Sequence, residues 1–248
     1  MGRSLRPGRG SGKAGGPVSQ RSGAARATLA ADARRRAART DEEDPVSQRT
    51  PSRWEQIVAA NPDHSAWYVE RFRAMAARGD DLHGESRLVD AMVPRGSRIL
   101  DAGSGPGRVG GELARRGHTV VGVDVDPVLI EAARADHPDA TWVVDDICEM
   151  DLTAHGIDEG FDVVVSAGNV MTFLAEGTHA AALERMRAHL RPRGRVVVGF
   201  GAGRGYEVRE LLGDARTAGL VPDLMLATWD LRPYESDSDF VVAVLRAD

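Results

Sequence analysis

Ile99-Leu100-Asp101-Ala102-Gly103-Ser104-Gly105-Pro106-Gly107, followed shortly by Val120-Val121-Gly122-Val123-Asp124, is the stretch of sequence that decides the fold. The first part is an apolar run that ends in an acid and enters a glycine-rich bend, with helix-forming residues from Val109 to Arg116 behind it. Glycines let the backbone turn tightly and leave no side chain in the way of a ligand. A helix starting just past the bend points free N–H groups at that ligand, which favours a carboxylate or a phosphate. By itself such a bend is only a tight strand-to-helix turn. Two details sharpen it. Arg108 stands where a dinucleotide fingerprint needs its third glycine, so the spacing is Gly-x-Gly-x-Gly. Asp124 closes the second strand, where a carboxylate accepts hydrogen bonds from both ribose hydroxyls of a nucleoside cofactor. The alternative for Asp124 is a helix cap, but Asp126 is better placed for that, directly before Pro127 at the first helical position.

Outward from this stretch, short apolar runs alternate with helical segments. Strands are expected at Arg98–Asp101, Thr119–Asp124, Thr141–Val144, Phe161–Ser166 and Arg195–Phe200, with helices at Val109–Arg116, Pro127–Ala135, His179–Leu190 and Tyr206–Ala218. Near-continuous Val-rich strands separated by helices indicate a parallel sheet covered on both faces. The rhythm breaks at the end. Leu224–Leu231 and Phe240–Leu245 are joined by Arg232–Asp239 with no helix between them, which predicts an antiparallel terminal hairpin.

The combined motifs resemble the class I S-adenosylmethionine-dependent methyltransferases. Asp101-x-Gly103-x-Gly105-x-Gly107 and Gly122-Val123-Asp124 are similar to that family's first two motifs, and Val144-Asp145-Asp146-Ile147 to its acidic third. Phe161-Asp162-Val163-Val164-Val165-Ser166 resembles its fourth strand, with Ala167, Gly168 and Asn169 at the mouth of the site, and Leu190-Arg191-Pro192-Arg193-Gly194 its turn before the fifth. The resemblance implies a Rossmann-like, doubly wound, mostly parallel seven-stranded α/β sheet with an antiparallel end. It also implies S-adenosylmethionine as cofactor. Its amino-acid end would lie on Asp101, Gly103, Ser104, Gly105 and Gly107, and its ribose on Asp124 with Val125 beside it. The adenine would lie at Asp146, with Asp145 as fallback and Ile147 flanking, and Ala167 at the mouth.

Before this domain, assigned to residues 94–248, residues 51–93 carry aromatic and apolar residues at helical spacing and form a helical N-terminal cap. One helix is capped by Ser52, carries Trp54, Ile57 and Val58, and ends near Asn61-Pro62. A second runs from Ser65 to Ala77 and a third from Glu85 to Met92. Trp67, Tyr68, Arg71 and Phe72 put aromatic faces and one cation on neighbouring turns. Tyr68 and Arg71 are cofactor candidates, Arg71 for the methionine carboxylate, because aromatic rings tolerate a sulfonium. Core packing for Trp67 and Phe72, with a solvated Arg71, is the plainer alternative. His83 and Glu85 are candidate bases within a polar cluster that capping and surface solvation also explain. Asn169 is either a substrate contact or the cap of a short helix.

The charge is uneven. The chain carries a net −5, yet residues 1–40 hold ten basic residues against the single acid Asp32, so the remainder carries −14. Residues 1–50, rich in Gly, Arg, Ala and Ser, are expected to be a disordered basic tail: a plain extension, a transit segment or an anchor for RNA. The acidic remainder argues against a broad nucleic-acid face. The only cysteine, Cys148, excludes an intrachain disulfide and suits a reducing, cytoplasmic compartment. No apolar run is long enough to span a membrane. Histidines such as His118, His137, His155 and His179 are scattered without ligand spacing, so no metal is expected. Lys13 is the sole lysine, which removes Schiff-base, Walker A and Tyr/Lys dehydrogenase chemistry from the rest of the chain.

The acceptor is narrowed by exclusion. Ser166-Ala167-Gly168-Asn169 lacks the Pro-Pro-aromatic run of nucleobase-amine methyltransferases, Cys148 is not preceded by proline, and no lysine serves ribose methylation. A small molecule is the expected acceptor. An RNA enzyme anchored by the tail, a catalytically inactive cofactor-binding protein and a nicotinamide oxidoreductase are the competing readings.

Overall fold

The computed structural model describes residues 49–248; the expected basic tail lies outside them except for its last two positions. Three helices come first: α1 (Arg53–Ala60), α2 (His64–Ala77) and α3 (Gly84–Met92). They are followed by β1 (Arg98–Ala102), α4 (Arg108–Arg115), β2 (Thr119–Asp124), α5 (Pro127–Asp136), β3 (Thr141–Val144) and β4 (Phe161–Ser166). The chain closes with α6 (His179–Ala188), β5 (Leu190–Gly201), α7 (Val208–Thr217), β6 (Leu220–Leu226) and β7 (Phe240–Ala247). One sheet holds all seven strands in the order β3-β2-β1-β4-β5-β7-β6. β3, β2, β1, β4 and β5 pair in parallel, and β7 runs antiparallel to both β5 and β6. This is the Rossmann-like sheet with a reversed terminal strand that the sequence predicts.

Alternate strand residues separate two cores, as a sheet covered on both faces requires. Ile99, Val120, Val163, Val165, Val197, Val242 and Val244 pack with Leu88 and Val89 of α3 and Val109 and Leu113 of α4. Leu100, Val121, Val164, Val196, Val198, Val241 and Ala243 face the other way, onto Leu183 and Met186 of α6 and Leu211 of α7. The period-two pattern of each strand therefore sets which helices cover it.

The boundaries differ from expectation where turn residues sit inside strands. β5 starts at Leu190, not Arg195. Phe161 pairs with Leu190 and Val163 with Arg195, so Arg191–Gly194 bulges outward with Arg193 at φ 70°. β6 begins at Leu220 and takes in Pro222, which an edge strand tolerates and where the register shifts. It ends at Leu226, leaving Leu231 exposed at φ 72°. The last helix begins at Val208, because Tyr206 is buried and stacks on His179 at 4.0 Å. Among the described residues no helix is long and apolar enough to cross a membrane.

Candidate functional site

The glycine bend lies at the carboxyl ends of β1 and β2, where the strand order reverses between β1 and β4; open α/β sheets place ligand crevices there. Gly103 and Ser104 both donate their N–H to the carbonyl of Val123, at 2.8 and 2.9 Å, which docks the bend onto β2. The three glycines of the motif do different work. A Cβ on Gly103, at φ 81°, would lie 2.5 Å from both methyls of Val170. One on Gly107, at φ 84°, would strike Trp142 at 2.8 Å. These two serve packing, and Gly107 is not part of the cavity wall. Gly105 alone turns its bare face to the cavity, the nearest atom to a Cβ there being Tyr68 Cε1 at 3.9 Å.

The cavity is a half-open cleft of about 870 Å³, the solvent space at its mouth included. Asp101, Ser104, Gly105, Asp124, Asp146 and Ile147 form its floor and far wall, with Val125 and Leu129 beside Asp124. Asp124 is buried. Its Oδ2 accepts the Gly105 N–H at 2.8 Å and its Oδ1 the Asp126 N–H at 3.0 Å. It is thus no helix cap; Asp126 caps α5 by accepting the Val128 N–H at 2.8 Å. Asp101 accepts the Gly110 N–H at 2.8 Å. Burial pushes the carboxyl of Asp101 up to about 7 and that of Asp124 up to about 6, because a low-dielectric surrounding disfavours the charged form. The hydroxyl of Ser104 is buried without a hydrogen-bond partner. Asp146 lines the cavity and its Oδ1 accepts the Cys148 N–H at 2.9 Å, whereas Asp145 bonds His155 at 3.2 Å and does not line it.

The roof is aromatic, with Trp54, Tyr68 and Phe72 from the N-terminal helices and Phe173 from the turn after β4. Trp54 packs edge-on against Tyr68 at 5.2 Å and Phe173 at 5.9 Å, and Tyr68 against Phe72 at 5.0 Å. Ser52 starts α1 through a capping box with Glu55, and this sets the direction in which Arg53 and Trp54 leave the helix. Trp54 Nε1 donates to Asp126 Oδ2 at 2.8 Å, and Ser65 of α2 donates to the same oxygen. Arg53 donates to the carbonyls of Thr172 and Arg204, at 3.2 and 3.0 Å. One helix is thereby tied to the loops after β2, β4 and β5.

The remaining sequence candidates fall in different places. Tyr68 lines the cavity, and burial raises its phenol, so it stays a neutral donor. Arg71 does not line it; this residue is exposed and lies 5.8 Å from the Trp67 ring, which is itself 55% exposed. Ala167 lines the cavity. His83 lies outside, 3.9 Å from Glu112. Glu85 forms a bidentate ion pair with Arg108 at 2.6 and 2.8 Å; burial alone would raise its carboxyl, but the guanidinium holds it below the ordinary range. Asn169 does not cap the Val170–Phe173 turn with its side chain. It sits at φ 68°, and Oδ1 accepts the Gly201 N–H at 2.8 Å, joining the ends of β4 and β5. Sequence reasoning missed the cavity roles of Trp54, Phe173 and Arg108. Only the capping box at Ser52 hinted at the first, while the other two depend on contacts between distant segments.

A methyltransferase-domain family model matches residues 99–194, which span the bend, Asp124, Asp146 and β4. A TehB-like S-adenosylmethionine-dependent methyltransferase from Corynebacterium glutamicum is 47% identical with a TM-score of 0.72, over 76% of this chain and all of that one. An uncharacterized methyltransferase of Mycobacterium tuberculosis is 37% identical over 114 residues, 45% of this chain and 54% of that relative. Magnesium-protoporphyrin O-methyltransferase of Rhodobacter capsulatus is 35% identical over 147 residues, 54% of this chain and 62% of that enzyme. The chain thus spans little more than half the length of these two curated relatives.

Proposed function

This chain belongs to the class I S-adenosylmethionine-dependent methyltransferases, and from that premise we propose that it methylates a small-molecule acceptor inside the roofed cavity. The observation that carries the proposal is the enclosure. α1 is bonded to three loops around the rim, and the aromatic roof of Trp54, Tyr68, Phe72 and Phe173 covers the bend and Asp124. A cavity of this kind admits a small ligand, not the surface of a polymer.

The residues present suit the cofactor. Gly105 offers a bare backbone face, Ser104 a buried hydroxyl in want of a partner, and Asp124 a carboxylate hydrogen-bonded to the bend at Gly105. In this assignment Asp101, Gly103, Ser104 and Gly105 receive the amino-acid end of the cofactor. Asp124 holds the ribose hydroxyls, and Asp146 with Ile147, Val125 and Leu129 holds the adenine. When bound, S-adenosylmethionine supplies a methyl group on a sulfonium that is transferred by direct displacement. The protein's part is alignment and exclusion of water, and orientation alone contributes an effective molarity of order 10⁵–10⁸ M. The aromatic roof is compatible with a cation below it. Glu85 and Asn169 are held by protein partners, and His83 lies outside the cavity, so none of the three is arranged to take an acceptor proton.

The test is incubation of the full-length protein with methyl-labelled S-adenosylmethionine and a mixture of metabolites and RNA. Label is expected in the small-molecule fraction. Label confined to RNA would overturn the acceptor class, and cofactor binding with no label anywhere would point to an inactive binding protein.

A further inference from the structure

Arg108 is the first residue of α4, directly behind the bend, and its guanidinium has an edge to spare. A guanidinium carries five N–H donors fixed in one plane. Nη1 donates to Glu85 Oε2 at 2.8 Å and to the carbonyl of Leu82 at 2.7 Å, and Nη2 donates to Glu85 Oε1 at 2.6 Å. These bonds take both Nη1 hydrogens and one of Nη2. What remains is the side-on edge, the Nε hydrogen and the second Nη2 hydrogen, two parallel donors matched to the oxygens of one carboxylate.

The group is also held still. Its side chain is only 17% exposed, Glu85 and Leu82 fix its far side, and it lies 5.6 Å from the Phe72 ring. Among the described residues lining the cavity, the charges are Asp101, Asp124 and Asp146 against this one cation. An anionic ligand group entering there meets repulsion from three acids and a fixed bidentate donor at Arg108. Arg71, the cation expected from sequence, does not line the cavity.

We propose that Arg108 is a carboxylate receptor built into the cavity wall, with Glu85 and Leu82 as the groups that aim it; this rests on the cofactor reading above. The carboxylate is that of the cofactor's amino-acid end or that of the acceptor, and the two sources separate by experiment.

Full-length protein is titrated with S-adenosylhomocysteine, its decarboxylated analogue and 5′-methylthioadenosine. Two variants are compared with the wild type. Arg108→Lys keeps the charge but lacks the planar edge, and the double variant Arg108→Met, Glu85→Met avoids stranding a buried carboxylate. Wild type is expected to bind S-adenosylhomocysteine at least about tenfold tighter than the decarboxylated analogue. In both variants that ratio falls to near one, while 5′-methylthioadenosine affinity stays unchanged. Protein loaded with 5′-methylthioadenosine is also titrated with benzoate as an acceptor-side carboxylate; a ratio that persists in the variants, with benzoate bound by the wild type and not by the variants, assigns the receptor to the acceptor. Equal ratios and equal benzoate binding in all three proteins, or a wild type with neither preference, overturn the proposal. A wild type that fails to bind 5′-methylthioadenosine overturns the cofactor reading instead.

Discussion

Replacing Asp124 by asparagine isolates the contribution of one carboxylate to holding a ribose. The two variants that suggest themselves are unequal. Asp124→Ala removes the acceptor of two backbone N–H groups, that of Asp126, which is buried, and that of Gly105, which is half-buried. Each stranded donor costs about 1–3 kcal/mol, so the alanine variant loses about 2–6 kcal/mol from a total of about 5–15. A binding defect in it would be mixed with a folding defect. Asp124→Asn keeps the shape and one acceptor oxygen, and strands at most one donor, which lowers Tm by roughly 2–12 °C for a domain of this size. Against the cofactor it replaces a charged acceptor for one hydroxyl by a donor. A hydrogen bond to a charged group contributes about 1.5–3 kcal/mol, so S-adenosylhomocysteine should bind roughly 10- to 150-fold more weakly. The assay is calorimetric titration at 25 °C with far-ultraviolet circular dichroism as the fold control. A second arm compares 5′-methylthioadenosine with its 2′-deoxy analogue, whose disadvantage in the wild type should shrink in the variant. A folded Asp124→Asn protein with undiminished affinity and undiminished ribose preference would refute the assignment of this residue.

Gly105→Val should lose cofactor affinity, since its Cβ enters the cavity 3.9 Å from Tyr68, and should also lower Tm because φ is 54° there; normal affinity would refute the placement of the bend. Gly103→Ala should lower Tm by several degrees, because its Cβ meets Val170 at 2.5 Å with φ at 81°. Burial raises Asp101 to about 7 and Asp124 to about 6, so the native state binds more protons than the unfolded chain from about pH 4 to 7. Stability of the protein alone should therefore fall as pH rises through that window, while S-adenosylhomocysteine, whose ammonium favours ionised Asp101, binds more tightly. Melting curves at pH 5 and 8 with and without the ligand check both signs, and flat curves would contradict them. Trp54→Phe keeps an aromatic ring, though a smaller one, and removes the 2.8 Å bond to Asp126; it should speed S-adenosylhomocysteine release by roughly 2- to 10-fold.

The sheet was legible because its strands carry their own signal. Thr119–Asp124, Thr141–Val144 and Phe161–Ser166 begin and end where the Val-rich runs do. β5 starts earlier than its sequence suggests because Pro192-Arg193-Gly194 reads as a turn, and only pairing with Phe161 extends the strand across it. Residue type and position mark out Arg71 and Asn169, but these properties do not reveal which way a side chain faces or what already holds it. Asn169 is held by Gly201, thirty-two residues on. The Trp54–Asp126 bond spans 72 residues, and the Arg108–Glu85 pair joins α4 to α3. The local half of the site, a bend and the acid after it, was written in adjacent residues; the roof exists only once distant helices meet.

Calorimetric titration of the full-length protein with S-adenosylmethionine, S-adenosylhomocysteine and NAD bears most directly on the central claim, that a bare-backbone bend and Asp124 together bind a nucleoside sulfonium. Saturable one-to-one binding of the first two with no heat from NAD is the predicted result. Binding of NAD alone, or of none of the three, would contradict it.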